Sequence, residues 1–112
     1  MNRLRGQKDF DRVRRDGRAW AHPLLVLNIV DNDQAFSRYG FIAGKSVGNA
    51  VARNRAKRLL REAMRQRYDG IEESRDLVLI ARKQMKGVRL DQVNAALDEL
   101  LNRAQFNQET NS

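Results

Sequence analysis

The longest helical pattern in the chain runs from Asn49 to Arg67, and its two faces differ more sharply than solubility alone requires. On a wheel of roughly 100° per residue with Ala52 at zero, Ala56, Leu59, Leu60, Ala63 and Met64 fall between about −20° and 120°. That arc has to be buried against something. The opposite arc, about 140° to 300°, collects Lys57, Arg61, Asn54, Arg65, Arg58 and Arg55, with Arg53 on the border and Glu62 as the only acid. A solvated helix face usually mixes signs at i, i+4 spacing to relieve repulsion, and here only Glu62, near Arg58 and Arg65, does so. The face therefore reads as one shaped for a polyanion. Any fold must supply an apolar layer for one side of this helix and leave the other open.

Short apolar runs supply that layer. Leu24 to Val30 (LLVLNIV) and Asp76 to Arg82 (DLVLIAR) are rich in branched residues and too short for helices, so both read as strands. Ser37 to Gly44 alternates Tyr39, Phe41 and Ala43 on one face, and the turn residues Asp31, Asn32 and Asp33 suggest a hairpin with the preceding strand. Residues 8–16, with Phe10 and Val13 at i, i+3 and Gly17 behind them, suit a short helix with a glycine stop. Residues 91–106 carry Val93, Ala96, Leu97, Leu100, Leu101 and Ala104 at helical spacing. The order α-β-β-α-β-α predicts an α/β (α+β) two-layer sandwich, helices on a small, mainly antiparallel sheet. Neither a repeat nor a linker interrupts the chain, so residues 1–112 read as one domain with a polar tail over about 107–112.

The charge is as uneven as the helix suggests. Of a formal +8, residues 1–18 carry +4, 19–44 carry −1, 45–67 carry +7 and 68–112 carry −2. Seventeen of the 22 bases are Arg, whose planar fork suits phosphate and stacks on bases, although a GC-rich coding bias would produce the same excess. A localised surplus of this kind points to nucleic acid, since neutralising phosphates releases condensed counterions. With no Cys and a lone His22, disulfide scaffolds, thiolate or multi-His zinc sites and a Cys nucleophile are excluded. No run approaches a membrane span, and Met1 to Lys8 is polar where a signal peptide is apolar, so a soluble cytoplasmic protein without a membrane or small-molecule partner is expected. Gly44, Lys45 and Ser46 imitate the end of a P-loop, but its first glycine position is Tyr39, with Gly40 one place off. Lys45 is then a phosphate contact at a strand-to-helix turn. Asn49, following Gly48, is an N-cap whose helix start can receive another phosphate.

The string from Gly44 to Glu62, GKSVGNAVARNRAKRLLRE, closely resembles the RNR signature helix of the bacterial ribonuclease P protein component family. The resemblance extends to Lys8 to Val13 (KDFDRV), Arg38 to Phe41 (RYGF) and Asp76 to Arg82, covering all but the extreme N-terminus and the tail from about Asn107. It implies the protein subunit of a ribonucleoprotein endonuclease in which a catalytic RNA removes the 5′ leader of precursor tRNA, with Mg2+ serving the RNA and no catalytic residues on the protein. Family precedent sets the signature helix against the catalytic RNA, which nominates Asn49, Arg53, Asn54, Arg55, Lys57, Arg58, Arg61 and Arg65. The same precedent sets the single-stranded leader in a cleft between the first helix and the sheet, nominating Phe10 for stacking and Lys45 for phosphate. Two positions depart from the family pattern: Arg14 stands where a second aromatic is usual, and Asn28 where a Tyr is common, which implies a less aromatic, more cationic cleft. Phe10 has an alternative role as core anchor of its helix. Trp20 and Tyr39 read as packing residues, His22 as a surface or strand-start residue, and the acids of 68–76 and 91–99 as solvated faces holding no metal. The resemblance also implies a left-handed βαβ crossover, as in a ribosomal-protein domain, against the usual right-handed rule. The alternative function is a non-catalytic RNA-binding protein, ribosomal or chaperone-like. A DNA-reading helix is weaker, because no second helix lies a short turn away.

Overall fold

Alternation along three apolar strands decides which side of the sheet each helix covers. The computed structural model describes residues 1–71 and 73–104. In β3 (Leu25–Asp31), β4 (Arg38–Ala43) and β5 (Arg75–Ala81), odd-numbered side chains face one side and even-numbered ones the other. Pairing keeps parity: Leu27 lies beside Leu79 and Leu79 beside Phe41, while Asn28 lies beside Val78 and Val78 beside Gly40. The odd face (Leu25, Leu27, Ile29, Tyr39, Leu77, Leu79) meets α2 (Ala50–Arg65) through Ala56, Leu60, Ala63 and Met64. It also meets α3 (Leu90–Arg103) through Val93, Ala96, Leu97, Leu100 and Leu101. The even face meets α1 (Gly6–Asp16), where Val13 and Phe10 pack with Val78, Val30, Ile42 and Ile80. Helices thus cover both faces, which corrects the expected two-layer sandwich to a sheet between a thin layer and a thick one.

The fold is α+β as expected, but the sheet is mixed rather than mainly antiparallel. It has five strands in the order β1-β4-β5-β3-β2. β1 (Asn2–Arg3) pairs parallel with β4, and β2 (Arg18–Ala21) pairs antiparallel with β3. Neither was foreseen, for β1 is two exposed polar residues and in β2 only Trp20 is half-buried. The predicted hairpin between β3 and β4 does not form, because β5 lies between them, antiparallel to β3 and parallel to β4. Burial explains the order. Asp76 to Leu79 are all buried, and a strand covered on both faces belongs at the centre, whereas Phe41 to Ala43 are only half-buried. Parallel β4 and β5 require a crossover, and α2 makes it.

Gly17 ends α1 as expected, and close packing rather than a left-handed backbone requires the glycine. Its φ is −84°, and a Cβ there would lie 2.5 Å from the Val13 carbonyl oxygen and 2.7 Å from that of Ile29. Glycine lets the helix end close directly on β3. The last helix stops at Arg103; Gln105 and Phe106, included in the predicted helix, and the predicted tail lie outside the described residues.

Candidate nucleic-acid interface

Helix α2 begins as its sequence demands. The Asn49 carboxamide oxygen accepts a hydrogen bond from the Ala52 N–H at 2.9 Å, so this side chain is committed to capping. Of the cations assigned to the basic face, Arg58 and Arg65 are exposed, as is Asn54, while Arg53, Arg55, Lys57 and Arg61 are half-buried. Arg65 reaches Glu62 at 3.5 Å. Among the described residues no carboxylate pairs with Arg53, Lys57 or Arg58, so their charge faces solvent uncompensated. Arg55 differs, since its guanidinium donates to the Val88 carbonyl at 2.6 Å and ties the helix to the segment before α3. Arg67 is likewise structural, gripping Asp98, the Ala63 carbonyl and Asn94.

Arg61 links this face to the far side of the sheet. Its guanidinium lies 5.8 Å from the Phe41 ring centroid, and its buried Nε has no hydrogen-bond partner. Burial, and then the charges of Arg3, Arg65 and Arg58, lower its pKa from the ordinary arginine value. Arg61 and Lys57 line a recess of about 150 Å³ together with Arg3, Phe10, Gly40 and Phe41. Three cations around two rings give a place for a phosphate beside a base, and Arg3 is a member that sequence reasoning missed.

Phe10 sits half-buried on the even face directly over Gly40, where a Cβ would lie 2.3 Å from its ring. The glycine makes the seat, so Phe10 anchors α1 while keeping part of its ring open. Beyond it the sheet is incompletely covered: Val26, Ile80 and Ile42 pair across the three strands and are all half-buried. This apolar floor was not foreseen, although period-two alternation places all three on one face. Asn28 lies one rung away on the same face, beside Val78, and is 6% exposed. Arg14 is exposed, roughly 160° around the helix from Arg12. Arg12 points to the opposite rung, so Arg14 flanks the open floor. Lys45, exposed in a 3-10 turn after β4, stands beyond the floor's end. Phe10, Arg14, Asn28 and Lys45 therefore share one face of the sheet and its end. Tyr39 lies on the other face, 3% exposed, where burial pushes its phenol up to about 12, and it serves packing.

One acid expected on a solvated face, Asp76, is the most buried charge among the described residues. The Asp76 side chain is fully buried; one carboxylate oxygen accepts from Asn32 at 2.7 Å and Arg38 at 3.0 Å, and the other from Arg38 at 2.8 Å and from Arg12. Burial alone would raise its pKa, but hydrogen bonds from Arg38 and Asn32, with the charges of Arg38 and Arg12, hold it below the ordinary carboxylate value. The clamp fixes α1 to β4 and β5, and so sets one wall of the cleft.

The sequence model of the ribonuclease P family matches residues 1–105. The ribonuclease P protein component of Herpetosiphon aurantiacus is 44% identical over 104 residues, 93% of this chain and 85% of that protein. Among solved structures, the ribonuclease P protein of Staphylococcus aureus matches with a TM-score of 0.86 at 28% identity, over 96% of this chain and 99% of that one. The protein from Thermotoga maritima matches with a TM-score of 0.80 at 30% identity, over 92% and 97%. With a family match over nearly the whole described chain and the same fold in its solved relatives, this chain belongs to the ribonuclease P protein component family.

Proposed function

We propose that this protein component of ribonuclease P holds two RNAs at once: the catalytic RNA on the basic face of α2 and the 5′ leader of precursor tRNA in the cleft between α1 and the sheet. One observation carries the proposal. The uncompensated cations Arg53, Lys57 and Arg58 and the cleft residues Phe10, Arg14 and Asn28 sit on opposite sides of one sheet, joined at its edge by Arg61 and Lys57. A folded RNA is held by shape and phosphate contacts, which suits a rigid row of guanidiniums. A single strand needs a ring, an apolar floor and nearby cations, which the cleft provides. Hydrolysis then belongs to the RNA and its Mg2+, and the protein acts by positioning substrate, in the cytoplasm where transcripts are processed.

Reconstitution tests this. With purified RNA subunit at low magnesium, adding the protein is expected to speed leader cleavage and to favour precursor over mature tRNA. RNA binding without any stimulation of cleavage would instead mark a non-catalytic RNA-binding protein.

A further inference from the structure

A recess at the end of the strands opposite Lys45 differs in charge from the faces described so far. It measures about 220 Å³ and is lined by Phe36, Tyr39, Tyr68 and Ile71, with Asp69 and Glu73 beside them and neither Lys nor Arg. Phe36 leads into β4, Glu73 leads into β5, and Tyr68 to Ile71 follow α2, so the recess lies at the N-terminal ends of the two parallel strands.

Its two acids are uncompensated. Among the described residues neither Asp69 nor Glu73 meets a Lys, an Arg or the Met1 amine, because the guanidiniums nearest in sequence are engaged elsewhere. Arg38 holds Asp76 at 2.8 Å and Arg67 holds Asp98 at 2.6 Å. Arg75 holds Asp31 at 3.0 Å and donates to the Glu73 backbone carbonyl at 3.3 Å. The apolar lining is open as well. Three large apolar side chains are exposed among the described residues, Met1, Phe36 and Val51, and the first two line this recess. Phe36 is fixed by its loop: Asn32 donates to its carbonyl at 3.2 Å, and Ser74, with φ at 66°, donates to the Gln34 carbonyl at 2.7 Å. A ring already held in place costs an incoming partner little ordering entropy.

Chemistry narrows the occupant. Two uncompensated carboxylates repel phosphates, which disfavours RNA. The volume falls below the roughly 300 Å³ at which pockets for drug-sized ligands begin, and suits a single side chain. Rings beside carboxylates attract a cation, through the ring faces and through charge-assisted hydrogen bonds. We infer that this recess docks a partner protein through one basic side chain, Arg or Lys, flanked by apolar residues of that partner. The site stands apart from both RNA surfaces. Tyr68 lies about 15 Å beyond Arg58 at 1.5 Å per residue, and β4 separates Phe36 from Lys45 by about 20 Å at 3.3 Å per residue.

The test titrates the isotope-labelled full-length protein with acetyl-Leu-Arg-Leu-amide and with its Glu counterpart, followed by amide chemical shifts. The Arg peptide is expected to bind with Kd on the order of 1 mM, shifting Phe36 to Tyr39 and Tyr68 to Ile71, and the Glu peptide at least about tenfold more weakly there. Asp69→Asn/Glu73→Gln and, separately, Phe36→Ala should each cost roughly tenfold in affinity for the Arg peptide. All three positions are exposed, so urea midpoints should stay where they are, as should affinity for the RNA subunit and the rate of leader cleavage. No shift at these residues by about 10 mM, equal affinity for the two peptides, or unchanged affinity in both variants would overturn the inference. Weaker binding of either variant to the RNA subunit would give the recess to RNA, and a wild-type dimer that Phe36→Ala dissociates would give it to a second copy. Either result would overturn the inference too.

Discussion

Replacing Asp76 with Asn removes one charge from a fully buried carboxylate site and leaves its shape almost unchanged. In the wild type both carboxylate oxygens accept: Arg38 bridges them, Asn32 donates to one and Arg12 to the other. An Asn has one accepting oxygen, and its NH2 must face a guanidinium or the Asn32 amide, donor against donor. Removing one partner of a buried ion pair costs about 3–5 kcal/mol. The low end applies, since the Arg12 and Arg38 side chains keep 31% and 23% exposure and recover some hydration. A loss of roughly 3 kcal/mol in a domain of this size lowers Tm by about 12 °C, at roughly 4 °C per kcal/mol. The pH dependence is a second signature. The folded pKa of Asp76 is depressed, so its contribution is fully present above the unfolded pKa, about 3.9, and is lost as pH falls through the folded value. Thermal melts between about pH 2.5 and pH 7 should therefore show Asp76→Asn far less stable than wild type at neutral pH, with the gap closing below about pH 4. A neutral-pH loss under about 1 kcal/mol, or a gap that stays constant into acid, would refute the clamp.

Four further substitutions separate packing, capping and binding. Gly40→Ala should displace the Phe10 ring, costing about 1–3 kcal/mol in urea unfolding and weakening precursor binding more than mature tRNA binding. Asn49→Ala removes the α2 cap and should cost about 1 kcal/mol, read from the shift in urea midpoint. Arg58→Ala should leave stability within about 0.5 kcal/mol while flattening the salt slope for the RNA subunit by about one unit. Arg55→Ala should also destabilise the fold, because its guanidinium holds the Val88 carbonyl.

The elements with strong internal patterning were legible from sequence. Helix α2, its Asn49 cap, the closing helix and the three apolar strands fall within a residue or a few of their expected bounds. What escaped was decided by tertiary pairing. Asn2–Arg3 and Arg18–Ala21 are strands because β4 and β3 offer free edges, not because their own residues prefer extension. The false hairpin came from treating a polar turn as tight, when the segment from Asn32 to Ser37 spans the place taken by β5. At the site, the cations of α2 were readable as a face because helical period is local. The clamp was not, since Arg12, Arg38 and Asp76 lie far apart in sequence and an Asp opening an apolar strand looks like a solvated residue.

The central claim is that two RNA surfaces on opposite sides of the sheet act separately. It is tested most directly by measuring, for Arg58→Ala and Arg14→Ala, both the affinity for the RNA subunit and the holoenzyme's preference for precursor over mature tRNA. Arg58→Ala should weaken the first and spare the second, and Arg14→Ala should do the reverse. Parallel losses in both quantities for both variants would contradict the division of labour.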